Sequence, residues 1–161
     1  MTTNHTFTAW KPPATPPAWV NRLVIGLLRS PLHRVVSGKI LLLSFTGRRS
    51  GRSYTIPVSY VQDGSVVLCS TDREARIWWR NLRGGVPVTV QLRDREVQGQ
   101  ADVIEDDREA IVQGIRRILA VVPGDSRYYG VRLDGQGQPL IEDLVQAAQR
   151  RVLIQVTLDE G

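Results

Sequence analysis

At 161 residues, 42% apolar and 23% charged, the chain has the size and balance of one globular domain with a self-sufficient core. One cysteine (Cys69) and two histidines (His5, His33) exclude a disulfide framework and a Cys/His zinc site, apolar runs such as Ile40 to Leu43 are too short to cross a membrane, and Met1-Thr2-Thr3-Asn4-His5 lacks a leader pattern, so a cytoplasmic protein is expected. The net charge of +5 is segregated: eight of the 21 basic residues and none of the 16 acidic ones precede Asp63, a block that suggests an anionic partner.

Residues 1–17 read as an extended Pro-rich arm, and residues 18–161 as a single domain. Val20, Leu23, Val24, Leu27 and Leu28 recur at helical spacing, which predicts an amphipathic helix from Ala18 that stops before Pro31. Packing on the domain's own sheet is the favoured use of that helix, and contact with a membrane surface the alternative. A short turn through Leu32, Val35 and Val36 then ends at Gly38.

The middle third reads as strands. Lys39 to Phe45 is a β-rich apolar run, and Thr46-Gly47-Arg48-Arg49-Ser50-Gly51-Arg52 has turn chemistry. Tyr54 to Gln62 is the next strand, with Pro57 placing it at an edge or bulge. Asp63-Gly64 signals a hairpin into Val66 to Ser70. Arg73 to Arg83 reads as a helix ending at Gly84-Gly85. Val86 to Leu92 and Glu96 to Ile104 read as a second hairpin.

In the last third, Asp106 or Asp107 caps a helix with the stripe Ile111, Ile115, Ile118, Leu119 and Val122, ended by Pro123 and Gly124. A polar loop carries Tyr128 and Tyr129. A helix from about Ile141 to Arg150 and a closing strand through Val152, Ile154, Val156 and Leu158 complete the chain. The expected fold class is mainly β (α+β): a six-stranded antiparallel sheet or barrel with flanking helices.

Few side chains offer catalysis of their own. No Gly-x-Ser-x-Gly elbow or Walker loop occurs, and Cys69 sits mid-strand among apolar neighbours as a buried inert thiol. An enzyme built this way borrows its chemistry from an organic cofactor. The turn at Gly47, Arg48, Arg49, Ser50, Gly51 and Arg52 is the candidate clamp for an anion: glycines that let backbone N–H groups converge, a hydroxyl, and three guanidinium forks. A solvated basic loop is the alternative.

The run Leu41-Leu42-Leu43-Ser44-Phe45-Thr46-Gly47-Arg48-Arg49-Ser50-Gly51, then Pro57, Tyr60 and Asp63-Gly64, resembles the deazaflavin (F420)-dependent nitroreductase family. Trp78-Trp79-Arg80-Asn81-Leu82 and Val86-Pro87-Val88-Thr89-Val90 extend the resemblance, which spans about Val20 to Ile104. It implies a split β-barrel and coenzyme F420, held by the basic turn through its phosphate and polyglutamate tail. It further implies hydride transfer from the reduced deazaflavin to a quinone, nitroaromatic or enone.

On that reading Ile56, Pro57 and Val58 face the ring, and Trp78 and Trp79 wall it or pack the barrel. Tyr60, Tyr128 and Tyr129 are the candidate proton donors. The segment Thr71 to Ile77 is closer to FMN-binding, pyridoxamine-phosphate-oxidase-like barrels, so FMN stays as the alternative cofactor. F420 suits the acid-free N-terminal third better, having several carboxylates as well as a phosphodiester. A cofactor-storage protein and a basic nucleic-acid-binding module are the non-enzymatic readings, though no nucleic-acid-reading motif is present and none is expected as a partner. An unsealed barrel edge favours a homodimer.

Overall fold

The computed structural model of the protein describes residues 18–28 and 40–160. The arm of residues 1–17, the turn from Leu32 to Gly38, both histidines and the side chains of Val20, Val24, Leu27 and Leu28 lie outside the described residues.

The helix α1 (Ala18–Leu28) has the expected bounds and lies against the first strands, although Leu23, expected in its buried stripe, is 62% exposed. Strands β1 (Ile40–Thr46) and β2 (Ser53–Ser59) form a hairpin in which Thr46 faces Ser53 and Ile40 faces Ser59. The short β3 (Val61–Asp63) turns at Gly64, whose φ is 60°, into β4 (Val66–Asp72). The second hairpin joins β5 (Val86–Leu92) to β6 (Arg95–Ile104). Strand β7 (Arg151–Leu158) runs between β6 and β4.

All neighbouring pairs are antiparallel, in the order β2-β1-β5-β6-β7-β4-β3. The sheet has seven strands, not six, because the segment expected as one strand from Tyr54 to Gln62 divides at Tyr60. Its first part pairs with β1 at one edge, and its last three residues pair with β4 at the other. One residue joining the two edges obliges the sheet to curl, which brings β2 beside β4 without a hydrogen-bonded ladder between them. The architecture is a barrel split along that seam.

Strand alternation gives the sheet two apolar faces. Leu41, Leu43, Val67, Cys69, Val90, Val152, Ile154 and Val156 fill the barrel. Leu68 and Leu153 point outward, under α2 (Arg108–Val121) and α4 (Ile141–Arg150). Asp107 is the cap of α2, its carboxylate accepting from the Ala110 N–H at 3.0 Å. The helix meets the sheet closely at Gly114, where a Cβ would stand 2.2 Å from Leu153 Cδ1.

Two expectations change. Arg73 to Arg83 is not an α-helix: the Asp72 carboxylate takes the N–H groups of Glu74 and Ala75, and only a 3-10 helix, Trp78–Leu82, follows. The Arg73 carbonyl, which an α-helix would pair with the Ile77 N–H, instead accepts from the Trp79 indole, and the Arg73 N–H donates to the Arg150 carbonyl. The polar loop expected around Tyr128 and Tyr129 holds a short helix, α3 (Ser126–Tyr129), entered from a 3-10 turn at Pro123–Asp125 and ended by Gly130 at φ 69°.

Candidate active site

The seam opens into a cavity of about 350 Å³, with Ile56, Pro57 and Val58 of β2 on one side and Ser70 and Thr71 of β4 on the other. Trp78, Tyr128 and Tyr129 also wall it, with Asn21, Arg76 and Asp125 among the remaining lining residues. This volume falls in the range of small-molecule sites. Six residues singled out in the sequence therefore converge: Ile56, Pro57, Val58, Trp78, Tyr128 and Tyr129.

Two others lie elsewhere. Tyr60 is buried and borders a second cavity, of about 770 Å³, with Leu92, Arg93, Arg95 and Leu158. Trp79 is 1% exposed inside the barrel. Its indole N–H donates to the Arg73 carbonyl at 3.3 Å, and the guanidinium groups of Arg83 and Arg80 stand 4.8 and 5.6 Å from its ring centroid. Arg83 in turn forks onto Glu105 at 2.7 and 2.6 Å, and Arg73 donates to the Glu105 carbonyl. Trp79 thus anchors the 3-10 helix to the barrel, and its neighbour Trp78 is left facing the cavity.

The basic turn lies beyond the cavity along β2. Arg52 lies four residue steps before Ile56, roughly 13 Å at extended spacing. Trp78 stacks on Phe45 at 6.0 Å, and Phe45 stacks on Tyr54 at 5.8 Å, so an aromatic row runs from cavity to turn. On the same 3-10 helix, the Asn81 side chain accepts from the Arg48 N–H at 3.0 Å and donates to the Trp78 carbonyl at 2.9 Å.

Within the turn, Gly47 N–H donates to the Arg52 carbonyl (2.8 Å), Gly51 N–H to the Gly47 carbonyl (2.9 Å), and Arg52 N–H to Ser50 Oγ (3.3 Å). Gly51 has φ 64°, and a Cβ on Gly47 would meet Ser50 Oγ at 2.6 Å and the Tyr54 ring at 2.7 Å, so both glycines are required by the turn. These bonds commit most of the backbone donors expected to converge on an anion. The side chains remain: Arg48, Arg49 and Arg52 are exposed, and none makes an ion pair among the described residues.

Sequence reasoning missed Asn81, Ser70, Arg76 and Arg151. Arg151 is 2% exposed behind the tyrosines, with its Nε 3.1 Å from Ser70 Oγ. Burial pushes the Tyr129 phenol up to about 12, against the opposing pull of the Arg151 charge and the Ser70 hydroxyl. Asn81 stood in the Trp78-Trp79-Arg80-Asn81-Leu82 motif without a role, and nothing local marked Ser70, Arg76 or Arg151.

The profile of the F420H(2)-dependent quinone reductase family matches residues 29–134. The chain belongs to that family. As a member of the F420H(2)-dependent quinone reductase family it is an oxidoreductase whose cofactor is F420, and the FMN and storage readings fall away. Comparison with curated proteins finds no match. Among solved structures, the heme storage protein HutZ from Vibrio cholerae aligns with a TM-score of 0.53 at 18% identity, covering 82% of this chain and 91% of that one. A conserved hypothetical protein from Mycobacterium tuberculosis aligns at 0.53 and 18%, covering 76% and 74%. These two show the shared fold. An F420-H2 dependent reductase aligns at 0.49 and 17%, covering 75% and 94%.

The donor set fits the family's cofactor. Three exposed arginines without carboxylate partners among the described residues match an acidic tail, and the aromatic and apolar walls at Trp78 and Ile56 to Val58 match a flat ring.

Proposed function

We propose that the seam between β2 and β4 is the place of hydride transfer, and that the acceptor is a quinone. The convergence of the β2 face, Trp78 and the two tyrosines on one cavity carries this reading. Arg48, Arg49 and Arg52 hold the acidic tail of F420, Ile56 to Val58 and Trp78 flank its ring, and Tyr128 and Tyr129 face the acceptor. Reduced F420 supplies the hydride when bound. The protein's part is to exclude water with Pro57 and Trp78, to orient a planar acceptor against β2, and to present phenolic donors to its oxygen. Tyr60 and Trp79 have no role at the reacting atoms in this account.

The family's description favours a quinone over a nitroaromatic or an enone, and hydroxyl donors, Ser70 and Tyr129, facing an apolar wall suit its oxygens and its ring. We further assign residues 18–161 to one domain preceded by an arm. We read the open seam as favouring a homodimer, and take the exposed Leu23 of α1 as the point where a membrane surface would be met. No described helix is long and apolar enough to cross a membrane. We retain a cytoplasmic location.

The test is fluorescence titration of the full chain with F420, beside Arg49→Ala and Arg52→Ala. Each lost charged hydrogen bond is worth about 1.5–3 kcal/mol, so affinity falls about tenfold or more per change while the melting temperature of the unliganded protein stays put. Equal affinity in all three proteins overturns the tail assignment. Turnover with a soluble quinone, a nitroaromatic and an enone then ranks the acceptors, and a quinone in last place overturns that assignment.

A further inference from the structure

Arg151 opens β7 opposite Asp72, and its side chain is among the largest fully buried ones. Burying a guanidinium without a carboxylate is costly and uncommon, yet Arg151 has no ion-pair partner among the described residues. The Asp72 carboxylate is occupied by two backbone N–H groups, and Asp143 is held by Arg132. Instead the Arg151 guanidinium packs over Tyr129 and Tyr128, 4.2 and 4.6 Å from their ring centroids. The two rings meet edge to face at 5.6 Å.

The remaining bonds of Arg151 both go to Ser70: Nε donates to Oγ at 3.1 Å, and Nη2 donates to the carbonyl at 3.3 Å. Arginine has donors and no acceptor. Ser70 Oγ must therefore receive that bond, which leaves its hydroxyl hydrogen to be shared between the Tyr129 phenol, its hydrogen-bond partner, and a ligand in the cavity that both line. Ser70, Tyr128 and Tyr129 all line the cavity, so one buried cation contacts three of the polar side chains on the wall opposite Pro57.

We propose that Arg151 is the positioning residue of an oxyanion subsite, in which Ser70 and Tyr129 donate to an acceptor oxygen as it becomes negative. The ligand class is a phenolate or enolate oxygen on a flat ring. The inference rests on the quinone reading above and names what that reading leaves open. When a hydride forms an O–H bond at one quinone oxygen with its own electron pair, the π pair displaced there passes through the ring to the opposite oxygen. That oxygen becomes a phenolate, and a proton from solvent completes the hydroquinone as F420H2 is oxidised. The Arg151 charge is matched by that phenolate. Asp125 also lines the cavity and opposes it, and Arg76 adds a second positive charge.

A phenol dye reports the subsite without turnover. 4-Nitrophenol is titrated into the full chain, free of F420 so that its yellow phenolate band is read alone, and into Arg151→Met, Arg151→Lys and Ser70→Ala. On the wild type the bound dye ionises at lower pH than free dye. Arg151→Met and Ser70→Ala each weaken phenolate binding about tenfold or more, and Arg151→Lys keeps most of it. Ser70→Ala removes one hydroxyl, so it gives the answer even where Arg151→Met fails to fold. A bound dye that stays neutral on the wild type overturns the proposal, and so does a Ser70→Ala or folded Arg151→Met protein that matches the wild type. Loss of F420 binding by the wild type itself contradicts the proposed function instead, and leaves the phenolate result standing.

Discussion

Replacing Asn81 by alanine tests whether the basic turn works as a preorganised clamp. Asn81 makes two bonds, accepting from the Arg48 N–H at 3.0 Å and donating to the Trp78 carbonyl at 2.9 Å. At about 0.5–1.5 kcal/mol each, with the exposed Arg48 amide rehydrated on loss, the protein gives up roughly 1–2 kcal/mol. For a domain of this size that lowers the melting temperature by about 2–8 °C. The cofactor then has to refix the backbone of Arg48, at a cost of about 1–2 kcal/mol per residue ordered, so F420 affinity falls roughly five- to thirty-fold. No charge has been removed. The assay is fluorescence titration with F420 beside thermal unfolding of the unliganded protein. An Asn81→Ala protein that is destabilised as expected and binds F420 as tightly as the wild type refutes the preorganised clamp.

Gly114→Ala places a methyl 2.2 Å from Leu153 Cδ1, a side chain that is 1% exposed; overpacking of about 1–3 kcal/mol exceeds the helix-propensity gain of about 1 kcal/mol, so urea unfolding shows a net loss, and the same Gly114→Ala change costs less when made in a Leu153→Ala background. Three hydrogen bonds from Arg132 hold the Asp143 carboxyl below its ordinary range. A carboxyl lowered in the folded state stabilises above about pH 4 and loses that contribution as pH falls through its folded value; Asp143→Asn therefore costs about 1–2 kcal/mol at pH 7, discounted for the exposed Arg132 guanidinium, with a flatter acid limb in urea unfolding from pH 7 to 3. Burial pushes the Cys69 thiol up to about 12, so a thiol reagent at neutral pH modifies the protein only after denaturant unfolds it.

Much of the frame was legible because its signals are local. Asp63-Gly64 marked the β3–β4 turn, Asp107 marked the start of α2, and Ile141 to Arg150 has the bounds of α4. Pro57 correctly pointed to an edge strand, since β2 ends the sheet. The break at Tyr60 was hidden because both halves of the segment carry strand residues, and only curling of the sheet decides which edge each joins. Arg73 to Arg83 was misread because helix propensity does not register the tertiary bonds that take both backbone groups of Arg73, its N–H to the Arg150 carbonyl and its carbonyl to the Trp79 indole.

The candidate site divides the same way. Its turn and its aromatic residues are contiguous motifs that a sequence displays. Arg151 and Ser70 are 81 positions apart, and Arg48 and Asn81 are 33 apart. Such pairs come together only when the β4–β7 register and the packing of the 3-10 helix are known. Trp78 and Trp79 are neighbours in sequence, but the 3-10 helix turns one to the cavity and the other to the core.

A crystal structure of the full chain with F420 shows where the ring and the acidic tail lie. The ring is expected in the seam between β2 and β4, beside Pro57 and Trp78, with the phosphodiester and glutamate carboxylates on Arg48, Arg49 and Arg52. A ring bound in the cavity beside Tyr60 and Arg93, or an acidic tail leading away from the turn while those three arginines stay in solvent, contradicts that placement.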